Sequence, residues 1–99
     1  MDRLPFDTGR VVRSTQGRDE GRYFLLLSDE QDGFVQMADG LTRKLNHPKK
    51  KKTKHLKPKP VRMETLKSQL EAGQLLDSDL RKFLKENGLG IEQPLCKED

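Results

Sequence analysis

Between residues 43 and 59 the chain carries nine cationic side chains in seventeen residues, with no acid among them. They are Arg43, Lys44, Lys49, Lys50, Lys51, Lys52, Lys54, Lys57 and Lys59. Like charges this dense repel one another, so a domain gains no stability by collecting them. An anionic partner outside the chain is the natural reason for them, and a polyphosphate backbone is the best candidate. Blocks of like charge are often solvated tails. This one lies mid-chain, between a β-patterned half and a helix-patterned half, so it reads as a connection within the fold.

The chain is short and polar: 99 residues, 31% hydrophobic and 36% charged. That supports one small domain with a thin core. The charge is uneven, with a balance of +6 over residues 1–60 and −2 over residues 61–99. The basic character therefore belongs to the first half. With no Trp and only five aromatic residues, extensive base stacking is not expected. No apolar stretch approaches the roughly 20 residues that span a bilayer. The single cysteine, Cys96, has no internal disulfide partner, and residues 1–5 show no signal-peptide pattern. A cytoplasmic protein is expected.

Turn residues divide residues 1–60 into short β-patterned runs. Residues 1–6 read as a lead-in. Residues 10–14, 22–28 and 34–38 are strand candidates, separated by a glycine-bearing loop and a polar turn. Asp39-Gly40 signals a tight hairpin, with residues 41–45 as a fourth strand. Residues 54–57 read as a fifth, stopped by Pro58 and Pro60. The lysine-rich connection covers 46–54. Five short strands this close together predict a small barrel, which also hides sheet edges. In the second strand Tyr23, Leu25 and Leu27 point to one face and Phe24 and Leu26 to the other. Both faces are apolar, so both need a cover, and the C-terminal segment is the available one. There Met63, Leu66 and Leu70, then Leu80, Phe83 and Leu84, keep helical spacing. Two short helices are expected at about 62–72 and 78–87, with Asp77 as an N-cap. They form a helical hairpin within 59–88, and residues 89–99 read as a flexible tail.

Gly9-Arg10-Val11-Val12-Arg13, then Gly17-Arg18-Asp19-Glu20-Gly21-Arg22, an apolar strand, Phe34-Val35 and Asp39-Gly40 together resemble a KOW motif. That motif is the glycine-bearing strand-loop-strand of SH3-like barrels in ribosomal proteins and elongation factors. Downstream, Arg43-Lys44-Leu45 and Lys54-His55-Leu56-Lys57-Pro58 resemble the archaeal and eukaryotic large-subunit ribosomal protein family designated fourteen-e. The nearest likeness is to small bacterial KOW-domain RNA-binding proteins related to that family. The resemblance covers most of residues 7–87. It implies an SH3-like five-stranded barrel over 7–58, mainly β with a C-terminal α hairpin. It also implies a ribosomal or ribosome-associated protein that binds large-subunit ribosomal RNA, with ribosomal proteins as possible neighbours.

The residues suit that expectation. Gly17 and Gly21 let the loop approach a ligand closely, and loop N–H groups can bind phosphate oxygens. Arg13, Arg18 and Arg22 flank the approach, and guanidinium pairs with phosphate in a bidentate way. Arg43, Lys44, Lys49, Lys50, Lys51, Lys52, Lys54, His55 and Lys57 complete the expected RNA-binding set. Lysine is a point charge that needs no set geometry, so the run supplies affinity with little sequence choice. No basic helix face suited to a DNA major groove is apparent.

His47, His55 and Cys96 show no metal-ligand spacing, and no phosphate-loop or nucleophile-elbow motif occurs. Neither enzymatic activity nor a cofactor, a small-molecule substrate or a membrane partner is expected. Two rival readings remain. One is an interaction module that docks on polymerase or another protein through the barrel or through Leu75, Leu76 and Leu80. The other is a DNA-associated regulator.

Overall fold

The computed structural model of the chain describes residues 4–89. Residues 1–3 and 90–99, with Cys96 and nearly all of the expected tail, lie outside that range. Five antiparallel strands form one sheet: β1 (Arg10–Ser14), β2 (Tyr23–Leu26), β3 (Phe34–Ala38), β4 (Lys49–Lys52) and β5 (Leu56–Arg62). Their order is β4-β3-β2-β1-β5. A 3-10 turn at Thr53–His55 joins β4 to β5, and α1 (Leu66–Glu71) and α2 (Asp77–Glu86) follow. The chain is thus mainly β with two short helices at its C-terminal side.

The central strand β2 explains where the core lies. Phe24 and Leu26 are fully buried on one face, against Val12, Val35, Met37 and Leu56. Leu25 is fully buried on the other, against Val11 and Ala38 and under Leu66, Leu80 and Leu84 of the helices. Both faces of the strand are apolar because both are covered. The helices are six and ten residues long, too short to persist alone in water. Their stability comes from burying those leucines, each worth about 1.5–3 kcal/mol. The lead-in is docked as well. Phe6 packs against the first cluster, and the Thr8 N–H and hydroxyl both donate to Asp29 Oδ1, at 2.7 and 2.8 Å.

One face of the sheet is covered by its own curvature. The Lys51 ammonium of β4 donates to Ser14 Oγ of β1 at 3.2 Å, although β4 and β1 stand three places apart in the strand order. In a flat sheet that separation is about 14 Å, so the sheet coils until β4 faces β1. Among the described residues no ladder joins β4 to β5, and the sheet keeps two edges.

Several local expectations are corrected. Residues 41–45 are not a strand. Asp39 Oδ1 accepts hydrogen bonds from the N–H groups of Leu41, Thr42 and Arg43, which takes those donors away from any ladder. The tight hairpin lies earlier, at Asp32-Gly33, where both residues have positive φ and Gln31 and Phe34 exchange backbone hydrogen bonds. The fourth strand is instead the lysine run itself, as Lys49–Lys52 pairs with residues 34–37 of β3. Finally, β5 runs through Pro58 and Pro60. It is an edge strand, so a residue without an N–H is tolerated there. The longer β5 also delays the first helix, which begins at Leu66 and not near 62.

Asp77 does not cap α2. Its Oδ1 accepts the Leu45 N–H at 2.7 Å, while the Leu76 N–H donates to Asp79 Oδ2. Asp77 thereby ties the 39–45 loop to the helix. Gly40 lies in the same contact, with φ +77°, and a Cβ there would meet the Asp77 carbonyl oxygen. Gly40→Ala is expected to destabilise the chain by at least about 1–3 kcal/mol, from left-handed strain plus the clash. Urea unfolding of the variant beside wild type measures this.

Candidate functional site

The lysine strand alternates like any strand, and alternation splits its charges into two groups. Lys49 and Lys51 lie opposite Met37 and Val35 of the buried cluster. Lys51 is only 8% exposed. Its stem covers the cluster and its ammonium reaches Ser14 Oγ and the Gln16 carbonyl oxygen, at 3.2 and 2.9 Å. The Lys49 ammonium lies 3.0 Å from Asp19 Oδ2 and that of Lys51 3.8 Å. Burial would raise the Asp19 pKa. The hydrogen bond from Lys49 and the charges of Lys49, Lys51 and Arg43 outweigh it, holding the carboxyl below its ordinary 3.8. Two of the four lysines expected on a phosphate groove are therefore internal anchors. They hold the loop between β1 and β2 against the edge strand. Asp19, an acid inside the glycine-bearing loop, is the partner that sequence reasoning missed.

Lys50 and Lys52 point the other way and are exposed. They stand opposite Gln36 and Phe34. The Lys50 ammonium sits 4.8 Å from the centroid of the Phe34 ring.

The loop between β1 and β2 is self-contained. Gly17 and Gly21 have the positive φ expected of them, but the N–H groups of Glu20, Gly21 and Arg22 are bonded to Gly17, Ser14 and Asp19 carbonyls. Those three donors cannot cradle a phosphate. What the loop presents is its side chains: Arg18 and Arg22 are exposed, and the Arg13 guanidinium reaches toward Gly21. The 3-10 turn borders the same loop, because the Thr15 N–H donates to the His55 carbonyl oxygen at 2.9 Å. Arg13 is thus brought opposite Lys57, and the loop that bears Arg18 and Arg22 adjoins the turn that bears Lys54 and His55.

Two like-charged pairs face each other across β1 and β5. Arg10 opposes Arg62, and Arg13 opposes Lys57. The first pair is compensated. Asp7 bonds both arginines, at 2.9 and 3.2 Å, and Glu64 bonds Arg62. Among the described residues no acid lies within salt-bridge distance of Arg13 or Lys57. Cross-strand like charges destabilise a sheet, so this second pair is a place where the fold carries an unbalanced cost. Arg43 and the exposed Lys44 belong to the 39–45 loop. Arg43 lies close enough for its charge to lower the Asp19 pKa.

His55 is half-buried at the edge of this group. Desolvation lowers its pKa below 6.5, and the charges of Lys54, Lys51 and Lys52 lower it further. Among the described residues no three His, Cys, Asp or Glu side chains gather as a metal ion requires, and no helix is long and apolar enough to cross a membrane. The arrangement offers anion binding by exposed side chains.

Lys51→Met is expected to cost about 1–3 kcal/mol, because it removes the ammonium's bonds to Ser14 Oγ and the Gln16 carbonyl and its charge beside Asp19, leaving only the bond that Ser14 Oγ donates to Gln16. Lys52→Met should stay within about 0.5 kcal/mol, as for an exposed site. Chemical denaturation distinguishes them. The His55 imidazole should titrate below 6.5 by NMR and shift upward when inorganic polyphosphate neutralises the lysines around it. In comparisons with known proteins, no protein-family model matches this chain and no curated protein matches it.

Proposed function

We propose that the chain is an SH3-like barrel of the KOW type, followed by a helical pair, that binds structured RNA, ribosomal RNA above all. The coiled sheet supports the barrel reading, since Lys51 links strands three places apart in the strand order. The binding surface is the sheet end where Arg13, Arg18, Arg22, Lys54, His55 and Lys57 meet, continued by Lys50 and Lys52 along the outer side of β4. Lys49 and Lys51 hold the loop in place beneath it.

One observation carries the reading: Arg13 stands opposite Lys57 with no acid within salt-bridge distance among the described residues, while the neighbouring Arg10 and Arg62 are neutralised by Asp7 and Glu64. The chain has the means to balance such a pair and leaves this one open. A phosphate between the two would turn repulsion into two charge-assisted hydrogen bonds. Folded RNA suits exposed loop arginines and a lysine edge, because it is recognised by shape and backbone. Docking through the leucines has less support. Leu75 and Leu80 are buried in the core, and Leu76 alone of the three is exposed.

Binding to a ribosomal RNA hairpin, followed by fluorescence anisotropy, should weaken steeply with salt. Neutralising about six phosphates gives a slope of log K against log salt of roughly −4 to −5. Lys57→Gln should reduce that slope by about one unit while raising stability by about 0.2–1 kcal/mol as the cross-strand repulsion disappears. A slope near zero for the wild-type protein sinks the proposal.

A further inference from the structure

Beside the outer lysines of β4 lies an open cavity of about 370 Å³. Its walls include Phe34, Gln36 and Lys50 together with Asp29, Gln31 and Asp32. It shares only Lys50 with the phosphate-binding surface proposed above. The volume is at the small end of the range for ligand cavities, about 300–1,000 Å³, which suits one nucleoside and little more.

We infer that this cavity seats one unstacked guanine of the bound RNA, stacked on the Phe34 ring and read by the carboxylates of Asp29 and Asp32. The inference rests on the RNA reading and adds base choice to it. Single-stranded RNA bases splayed from a fold are typically held by an aromatic face and by hydrogen bonds to their edges. Phe34 is half-buried, and the group over its ring is an exposed lysine. An exposed cation–π contact is worth only about 0.5–1 kcal/mol. The Lys50 ammonium can therefore leave the ring for the nucleotide's phosphate and open the face to a base. Its neighbour Lys52 offers a second cation on the same side of the strand.

The choice of guanine follows from the carboxylates. Ionised Asp accepts hydrogen bonds and donates none. Guanine presents two adjacent donors on its pairing edge, N1–H and the 2-amino group, while the other three bases present one donor group each. Both hydrogen bonds from Thr8 fall on Asp29 Oδ1, leaving Oδ2 for a ligand. Those same bonds hold the Asp29 carboxyl below its usual pKa, so it stays ionised. Asp32 is held by the hairpin at φ +55°, next to Gly33. Gln31 and Gln36 add amide donors for the guanine O6. A cationic peptide is the competing occupant, but Lys50 already lies on the ring and Lys52 borders it.

The test uses the full chain and NMR titration with each of the four ribonucleoside monophosphates and with a short oligoarginine peptide. GMP is expected to shift the Phe34 ring signals and the Asp32 and Gly33 amides at lower concentration than AMP, CMP or UMP. Asp32→Asn keeps a residue that tolerates positive φ, and it should weaken GMP binding about tenfold by removing charge-assisted bonds. Phe34→Leu should abolish the shifts while the salt slope for the RNA hairpin stays unchanged. If RNA binds with the steep salt slope but GMP leaves Phe34 unmoved, or is not preferred over the other three, the guanine seat is overturned and the RNA reading stands. If the oligoarginine peptide shifts Phe34 and GMP does not, the cavity takes a cationic peptide instead. If RNA binding shows no salt dependence, the reading beneath the inference falls first.

Discussion

The buried ammonium of Lys51 is the contact on which the geometry of the sheet depends. It bridges β4 to Ser14 and Gln16 at the far side of the coil, and with Lys49 it draws in Asp19. Its stem covers part of the apolar cluster while its head makes two hydrogen bonds and an ion pair, as a long amphipathic side chain allows. A buried charge without partners would cost several kcal/mol, so the coil, the loop and the acid are mutually required. Curvature then lets one face of β2 bury Phe24 and Leu26 against the sheet itself, leaving the other face for the helices.

Charge on this molecule therefore has two separate jobs, divided by the alternation of a strand. The inward lysines are structural and are neutralised internally. The outward ones, with Arg13, Arg18, Arg22, Lys54 and Lys57, have no ion-pair partner among the described residues. The same contrast recurs across β1 and β5, where one like-charged pair is balanced by Asp7 and its neighbour is not. Uneven neutralisation, more than the density of charge, is what supports the proposed anion site.

Much of this was legible in the sequence and some was not. The two-sided apolar pattern of 23–27 pointed to a strand covered on both faces, and the leucine spacing beyond residue 63 pointed to the helical cover. The lysine run reads as a connection from its place between a β-patterned half and a helix-patterned half. Tertiary context overrode that, with Val35 and Met37 of β3 supplying the pairing partner and Asp19 the counter-charge. The period-two split of four identical residues carries no sequence signal of its own. Only the position of an acid in the glycine-bearing loop hinted at it. The hairpin was assigned to Asp39-Gly40 when Asp32-Gly33 adopts it. The two dipeptides are identical, and what separates them is the three N–H groups that gather on the Asp39 carboxylate.

The open edges of the sheet are defended by different physics. On β5, Pro58 and Pro60 remove hydrogen-bond donors outright, a protection indifferent to ionic strength. On β4 the guard is electrostatic repulsion between lysines of one copy and those of another. That repulsion acts over about 10 Å at 0.1 M salt but only about 3 Å at 1 M. The molecule's resistance to edge-to-edge association is thus asymmetric: β5 stays protected in concentrated salt, while β4 depends on a field that the solvent can switch off. A polyanion wrapped over Lys50 and Lys52 would screen that field too, but it would cover the strand as it did so.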